Sequence, residues 1–178
     1  MKNGFILLLL LTANICCGQK YLSNKSTITF FSEAPLENIT ATNSKSTSAM
    51  NIETGKVAFS VPIKHFEFEK SLMQEHFNEQ YLESHKFPKS TFVGSIEGFD
   101  RESKKKQAAR AKGVLTIHGE EHEIDAEGFI TINKNKIVLE STFMVKLVDY
   151  KIKVPQVVWQ NIAEVIEVTV YFEYEPYE

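Results

Sequence analysis

The amino-acid sequence predicts an all-β protein, a sandwich or barrel of about eight antiparallel strands with one short helical insertion. Three observations carry this prediction. Apolar and polar residues alternate along most of the chain, turn-forming residues separate the alternating segments, and only one segment has helical spacing. Alternation at every second residue is typical of strands with one buried face, and regularly spaced short strands are typical of all-β domains.

The alternating segments begin near residue 26 and continue almost to the C-terminus. The segments "KVAFSVPI", "STFVGSIEGF", "GVLTIHG", "IDAEGFITI", "KIVLESTFMVKLV" and "EVIEVTVYFEY" each place apolar residues on one face. Between them, "ETGK" at 53–56 and "NKNK" at 133–136 are typical of hairpin turns, because Gly and Asn tolerate positive φ. We therefore expect consecutive strands to pair antiparallel.

The segment 71–81 departs from this pattern. Leu72, Met73, His76, Phe77 and Tyr81 recur at helical spacing, so the segment predicts a short helix that ends before the proline at position 88. A serine at position 71 followed by a glutamine three residues later is typical of a capping box. We expect this helix to lie across one end of the sheet.

Residues 1–18 are predicted to be a secretory signal peptide, because Lys2 precedes an apolar run that is too short to span a membrane. Cleavage there leaves a single domain, 19–178, without cysteine. Lipidation at Cys16 or Cys17 is the alternative, although neither follows the usual leucine-containing pattern. The predicted location is therefore periplasmic or secreted.

The charge of the chain argues against nucleic acid as a partner. Its 20 basic and 23 acidic side chains give a net charge of −3, which becomes −4 when Lys2 leaves with the signal peptide. Proteins that bind nucleic acid usually carry a basic surface instead. No apolar run after the signal peptide is long enough for a membrane span.

Catalytic and metal-binding patterns are missing from the sequence. The five histidines are His65, His76, His85, His118 and His122, and the pairs around the helix lack the i, i+4 spacing that places two imidazoles on one helical face. The sequence has no nucleophile elbow, glycine-rich phosphate loop or dinucleotide fingerprint. We therefore predict no enzyme activity, no catalytic residues, no metal site and no cofactor.

A run of basic residues between 101 and 112 is the strongest local charge in the chain. At a hairpin end, such charges increase solubility and protect strand edges. The alternative is attraction to anionic lipid headgroups or to a pyrophosphate, which would bring the protein into peripheral contact with a membrane.

The interior of a barrel of this size either is filled by side chains or holds one small ligand. The predicted inner face combines large apolar residues with gaps at Gly94, Gly98, Gly128 and Ser141. These gaps suit an elongated apolar guest and a tightly packed core equally well.

The segments "LMQEHFNEQYLESHKFPKSTFVGSI" and "GVLTIHGEEHEI" together resemble the paired signature of the YceI-like family. The order of the "STITFFSEAP", "GKVAFSVPI" and "VPQVVWQNIAEVIEVTV" segments is also similar, so the resemblance covers nearly all of 19–178. It implies a lipocalin-like antiparallel barrel, exported to the periplasm, with an apolar tunnel. Some members of that family bind polyisoprenoid or other amphipathic chains there.

From this resemblance we expect an exported binding protein that sequesters or carries an isoprenoid-like or fatty-acid-like lipid. His76 and Asn78 are the expected polar anchors at the rim. The alternative is a filled barrel that serves as a structural or interaction module of the cell envelope, and a homodimer is left open. The residues expected to line the tunnel are Phe59, Val61, Phe92, Ile96, Leu115, Ile117, Ile130, Leu139, Phe143 and Val170.

Overall fold

A computed structural model describes residues 20–33, 37–154 and 162–177 and confirms the all-β prediction. The predicted signal peptide, with Cys16 and Cys17, lies outside these residues. Among the described residues, one α-helix, α1 (Ser71–His76), continues into a π-helical turn (Phe77–Tyr81), and a short 3₁₀ helix spans Ile63–His65. The strands are β1 (Lys20–Ser32), β2 (Ile39–Asn43), β3 (Thr47–Asn51), β4 (Lys56–Pro62), β5 (Phe66–Phe68), β6 (Lys89–Glu97), β7 (Gln107–Ile117), β8 (Glu120–Asn133), β9 (Lys136–Lys146) and β10 (Val165–Tyr177).

Eight of these strands close into an antiparallel barrel in the order β1-β3-β4-β6-β7-β8-β9-β10, and β10 pairs back onto β1. Strand β1 is long enough to pair twice on its other side. Its first residues, Lys20–Leu22, pair with β3, and its last residues, Ile28–Ser32, pair with β2. Strand β5 then pairs with β2, so β2 and β5 form a flap at one end of the barrel.

The predicted helix is present as α1, which lies between β5 and β6. The predicted capping box is wrong. Ser71 is the first helical residue, and the N-cap position belongs to Lys70, which makes no side-chain cap bond. The Gln74 side chain instead accepts a hydrogen bond of 3.3 Å from the backbone N–H of Phe68, which ties α1 to β5. In the described part of the chain, no helix has the length and apolar character needed to cross a membrane.

The two ends of the barrel differ. The end that holds α1, the flap and the β7–β8 turn is called the helix end here, and the opposite end is called the packed end. At the packed end Ile130, Ile137, Phe172 and Tyr174 are fully buried. The Tyr174 hydroxyl shares a hydrogen bond of 2.7 Å with the hydroxyl of Ser48, so this buried polar atom is satisfied.

A buried asparagine holds the connection between β2 and β3. The Asn43 side chain is fully buried and donates from Nδ2 to the carbonyl of Pro62 at 2.8 Å. Its Oδ1 accepts from the Lys45 backbone N–H at 2.8 Å and from the Ser46 hydroxyl at 3.0 Å. One side chain therefore fixes the turn against the end of β4.

A cluster of charged side chains centred on Glu173 lies on the outer surface where β1, β9 and β10 meet. The Glu173 carboxylate is 14% exposed, contacts Lys136 and lies 3.7 Å from the Lys25 ammonium. It also accepts a hydrogen bond from the Tyr171 hydroxyl. The hydrogen bond from Lys136, followed by that from Tyr171, lowers the pKa of Glu173, while the bond to Glu173 raises the pKa of Tyr171 to about 12.

Replacing Glu173 with glutamine should reduce the acid sensitivity of folding. A carboxyl group with a lowered pKa in the folded state stabilises the fold above its unfolded pKa, and this stabilisation is lost as pH falls through the folded pKa. Urea unfolding between pH 7 and pH 3 should show a shallower decline for Glu173→Gln than for wild type. Glu175→Gln, an exposed carboxylate on the same strand, should keep the wild-type slope. Identical slopes for wild type and Glu173→Gln would contradict this prediction.

Candidate functional site

The barrel contains a cavity of about 430 Å³ that runs from the helix end into its middle. On β4 the inward side chain of Phe59 lines this cavity, whereas the preceding inward residue, Val57, does not. The inward residues Ile130, Ile137, Phe172 and Tyr174 are fully buried and do not line the cavity either, so the cavity is blind at the packed end. The deepest lining residues are Ile28, Phe59, Ile96, Ala109, Gly128, Leu139 and Val170.

Nine of the ten residues predicted to line the interior lie on this wall. The exception is Ile130, which is fully buried below the cavity among the side chains of the packed end. The nine are Phe59, Val61, Phe92, Ile96, Leu115, Ile117, Leu139, Phe143 and Val170.

The cavity is asymmetric because small and large side chains occupy opposite walls. Strands β4 and β6 contribute the rings of Phe59 and Phe92, whose centroids are 5.3 Å apart. Strands β7, β8 and β9 carry small residues on their inner faces, and these leave the space that the rings do not fill. The small lining residues are Ala109, Ala111, Ala126, Gly128 and Ser141, with Ala109 paired to Gly128 and Gly128 paired to Ser141.

Four phenylalanines form the cavity wall at the helix end. They are Phe30 of β1, Phe66 and Phe68 of β5, and Phe77 of the π-helical turn. Five pairs of these rings have centroids between 5.0 and 5.6 Å apart. Aromatic pairs at these separations contribute about 0.5–1.5 kcal/mol beyond their area burial. The cluster therefore attaches the helical segment to the flap and gives the cavity an aromatic entrance.

Two polar side chains of the helical segment line the entrance beside exposed Leu72. They are His76 and Tyr81, both half-buried. Burial raises the pKa of the Tyr81 hydroxyl. Within the described residues neither side chain has a hydrogen-bond partner, so both polar groups can bind the polar end of a ligand.

Asn78, the second residue predicted at the polar rim, does not line the cavity. Its Nδ2 donates to the Gln74 carbonyl at 2.9 Å, and its Oδ1 is buried without a partner among the described residues. The structure therefore places Asn78 inside the helical segment, whereas His76 lies on the wall.

Hydrogen bonds fasten the end of the helical segment to the rest of the helix end. The two ring nitrogens of His118 lie 3.1 Å from the Glu83 carboxylate and 3.2 Å from the Tyr150 carbonyl. Hydrogen bonds from Lys86 and then His118 lower the pKa of Glu83. His118 and Gly119 form the β7–β8 turn, both with positive φ. A Cβ on Gly119 would lie 2.6 Å from the Phe87 ring, so glycine allows this close approach.

Metal-binding geometry is missing from the described part of the chain, where no group of three or more His, Cys, Asp or Glu side chains could hold an ion. His118 already has two oxygen partners. His122 Nε2 lies 2.7 Å from the Asp149 carbonyl. These imidazoles therefore act as connections between loops.

Three of the six basic side chains between 101 and 112 form ion pairs with neighbouring carboxylates. Lys106 lies 2.7 Å from Glu140, and Lys112 lies 3.3 Å from Glu97. Arg110 bonds Asp125 at 2.9 Å and approaches Glu127 at 3.4 Å. The paired charges fit the solubility and edge-protection interpretation. Arg101, Lys104 and Lys105 are exposed and have no carboxylate partner among the described residues.

The aromatic entrance is the part of the site that the sequence analysis missed. The helical spacing of Leu72, Met73, Phe77 and Tyr81 was a usable signal, because an amphipathic helix on a barrel must bury its apolar face against something. The alternation of Phe66 and Phe68 was a second signal, but three residues are too few to predict a strand.

Comparisons with known proteins agree with this architecture. The sequence pattern of the YceI-like domain matches residues 20–174, and no curated protein sequence matches the chain. A polyisoprenoid binding domain from Saccharophagus degradans implicated in plant cell wall breakdown superposes with a TM-score of 0.76 at 13% identity, covering 88% of this chain and 98% of that one.

Two further solved structures share the fold. BcnA of Burkholderia cenocepacia gives a TM-score of 0.70 at 12% identity, covering 83% of this chain and 95% of that one. The YCEI protein of Campylobacter jejuni gives 0.57 at 16% identity, covering 100% and 94%. Identities this low establish similarity of fold alone.

Proposed function

The chain belongs to the YceI-like domain family, and from this premise we propose that it is a non-catalytic binding protein for one single-chain amphiphile. The main support for this proposal is the blind apolar cavity of about 430 Å³. Its volume falls within the range of about 300–1,000 Å³ that is typical of small-molecule sites. Each chain methylene buried there would contribute about 0.8 kcal/mol. The ligand class is an isoprenoid-like or fatty-acid-like lipid, as the polyisoprenoid-binding relative also suggests.

The polar end of the ligand belongs at the entrance, where His76 and Tyr81 are available as hydrogen-bond partners. Two charged residues, Arg110 and Glu140, contribute to the cavity wall, but their charges pair on the outer surface with Asp125 and Lys106. An ionised group inside the apolar wall would be costly without a partner. The polar end is therefore an uncharged hydrogen-bonding group or remains in solvent.

The filled-barrel alternative fits the packed end only, where the interior is filled by Ile130, Ile137, Phe172 and Tyr174. It does not describe the helix end, where the cavity lies. The binding proposal includes export to the periplasm or outside the cell, on the basis of the signal-peptide pattern at 1–18.

Native mass spectrometry of the protein recovered from an exported fraction tests the proposal. The expected result is a retained apolar mass that organic extraction releases. The control is the same protein after extraction, incubated with isoprenols and fatty acids. A protein that is recovered without a ligand and stays so in both incubations would contradict the binding function.

A further inference from the structure

We infer that the floor of the cavity limits the length of the bound chain to about sixteen main-chain carbon atoms, which is the main chain of four isoprene units. The floor is defined as the Phe59 side chain, which lines the cavity, together with the Phe172 ring on which it stacks. The inference rests on the proposed function, because it specifies which chains the same cavity accepts.

The floor is a packed aromatic layer across the barrel. The Phe59 ring stacks on the Phe172 ring with centroids 4.8 Å apart and an interplanar angle of 26°. Phe172 is fully buried, and its ring lies 5.9 Å from that of Tyr174 in the packed end. Because protein interiors are close-packed, a chain end that reaches this layer has no further space.

The deep wall also favours a chain that enters with its apolar end first. The Ser141 hydroxyl donates to the Glu127 carbonyl at 2.7 Å. Since this hydroxyl already has a backbone partner, the polar end of the ligand stays near His76 and Tyr81.

The length of the lining strands sets the depth. The lining residues of β7 run from Ala109 at the deepest wall to Ile117 at the helix end. Those of β9 and the residue after it run in the same way from Leu139 to Leu147. Eight steps from residue to residue at about 3.3 Å each, tilted about 40° to the barrel axis, span about 20 Å along that axis. An extended chain with bonds of about 1.5 Å advances about 1.25 Å per carbon, which gives about sixteen carbons.

The test is displacement of the fluorescent dye 1-anilinonaphthalene-8-sulfonate by isoprenols of two, three, four and five units. Each buried methylene contributes about fourfold in affinity. Affinity for wild type should therefore rise at least about tenfold per unit up to geranylgeraniol, the four-unit isoprenol. For the fifth unit the gain should be less than about twofold, because that unit stays in solvent.

Variants of the floor and the deep wall should move this limit in opposite directions. Phe59→Ala removes a ring from the floor and should extend the preferred chain by about one isoprene unit, and Phe59→Leu is a milder variant if the first does not fold. Ala109→Leu fills the deepest wall and should shorten the preferred chain by about one unit. Gly128 is unsuitable for filling, because its Cβ would lie 2.4 Å from the Glu140 carbonyl oxygen.

The matched control is Ile130→Val, a change in the packed end below the cavity, which should leave the preferred length unaltered. If isoprenols bind but wild type and the folded Phe59 and Ala109 variants prefer the same length, the length limit is wrong and the binding function stands. If neither isoprenols nor fatty acids bind wild type, the binding function itself fails, and the length limit fails with it.

Discussion

Replacing Ala126 with phenylalanine is expected to lower the affinity for geranylgeraniol at least about 100-fold. Ala126 lines the cavity at mid-depth on β8 and is 6% exposed. A phenyl ring there would occupy the path between the entrance and the floor. Excluding only four chain methylenes removes about 3 kcal/mol of binding free energy. Dye displacement under the same conditions for both proteins measures the effect.

The stability of the same variant separates an empty cavity from a filled core. A ring placed into empty space should change the free energy of unfolding by less than about 1 kcal/mol, whereas overpacking a filled core costs about 1–3 kcal/mol. Glu123→Phe, an exposed position on the same strand, is the matched control and should bind geranylgeraniol like wild type. Wild-type affinity of a folded Ala126→Phe variant would place the ligand elsewhere.

Replacing Asn43 with alanine is expected to lower the free energy of unfolding by about 3 kcal/mol. The change leaves the Pro62 carbonyl, the Lys45 N–H and the buried Ser46 hydroxyl without their partner. Each buried polar group left unsatisfied costs about 1–3 kcal/mol, and exposed groups recover water. For a domain of this size the expected fall in Tm is about 9 °C.

Asn51 offers a matched control for this substitution. Its side-chain oxygen accepts hydrogen bonds of 3.0 Å from the backbone N–H groups of Glu53 and Thr54 in the exposed β3–β4 turn. Because water can replace those bonds, Asn51→Ala should cost less than about 1 kcal/mol. Equal losses for the two alanine variants in guanidinium unfolding would show that burial of Asn43 is not the cause.

Most of the barrel could be predicted because strand patterns are local. Alternation at every second residue places Phe92 and Ile96 on one face whatever the neighbouring strands are, and nine of ten predicted lining residues lie on the cavity wall for that reason. The helix could be predicted in the same way from the spacing of Leu72, Met73 and Phe77. Strands β2 and β5 could not, because they are short and depend on the second half of β1 for pairing.

The tertiary structure alone decided where the interior is filled and where it is hollow. Sequence patterns place Phe59, Ile130 and Leu139 on the same inner face, but only Phe59 and Leu139 line the cavity. The difference depends on contacts across the barrel, such as Phe59 on Phe172, between residues far apart in the chain. By itself, the sequence determined the fold class and the inner face of each strand, since both follow from local periodicity. The depth of the cavity depends on which large and small side chains meet across the barrel, and only the closed sheet brings them together.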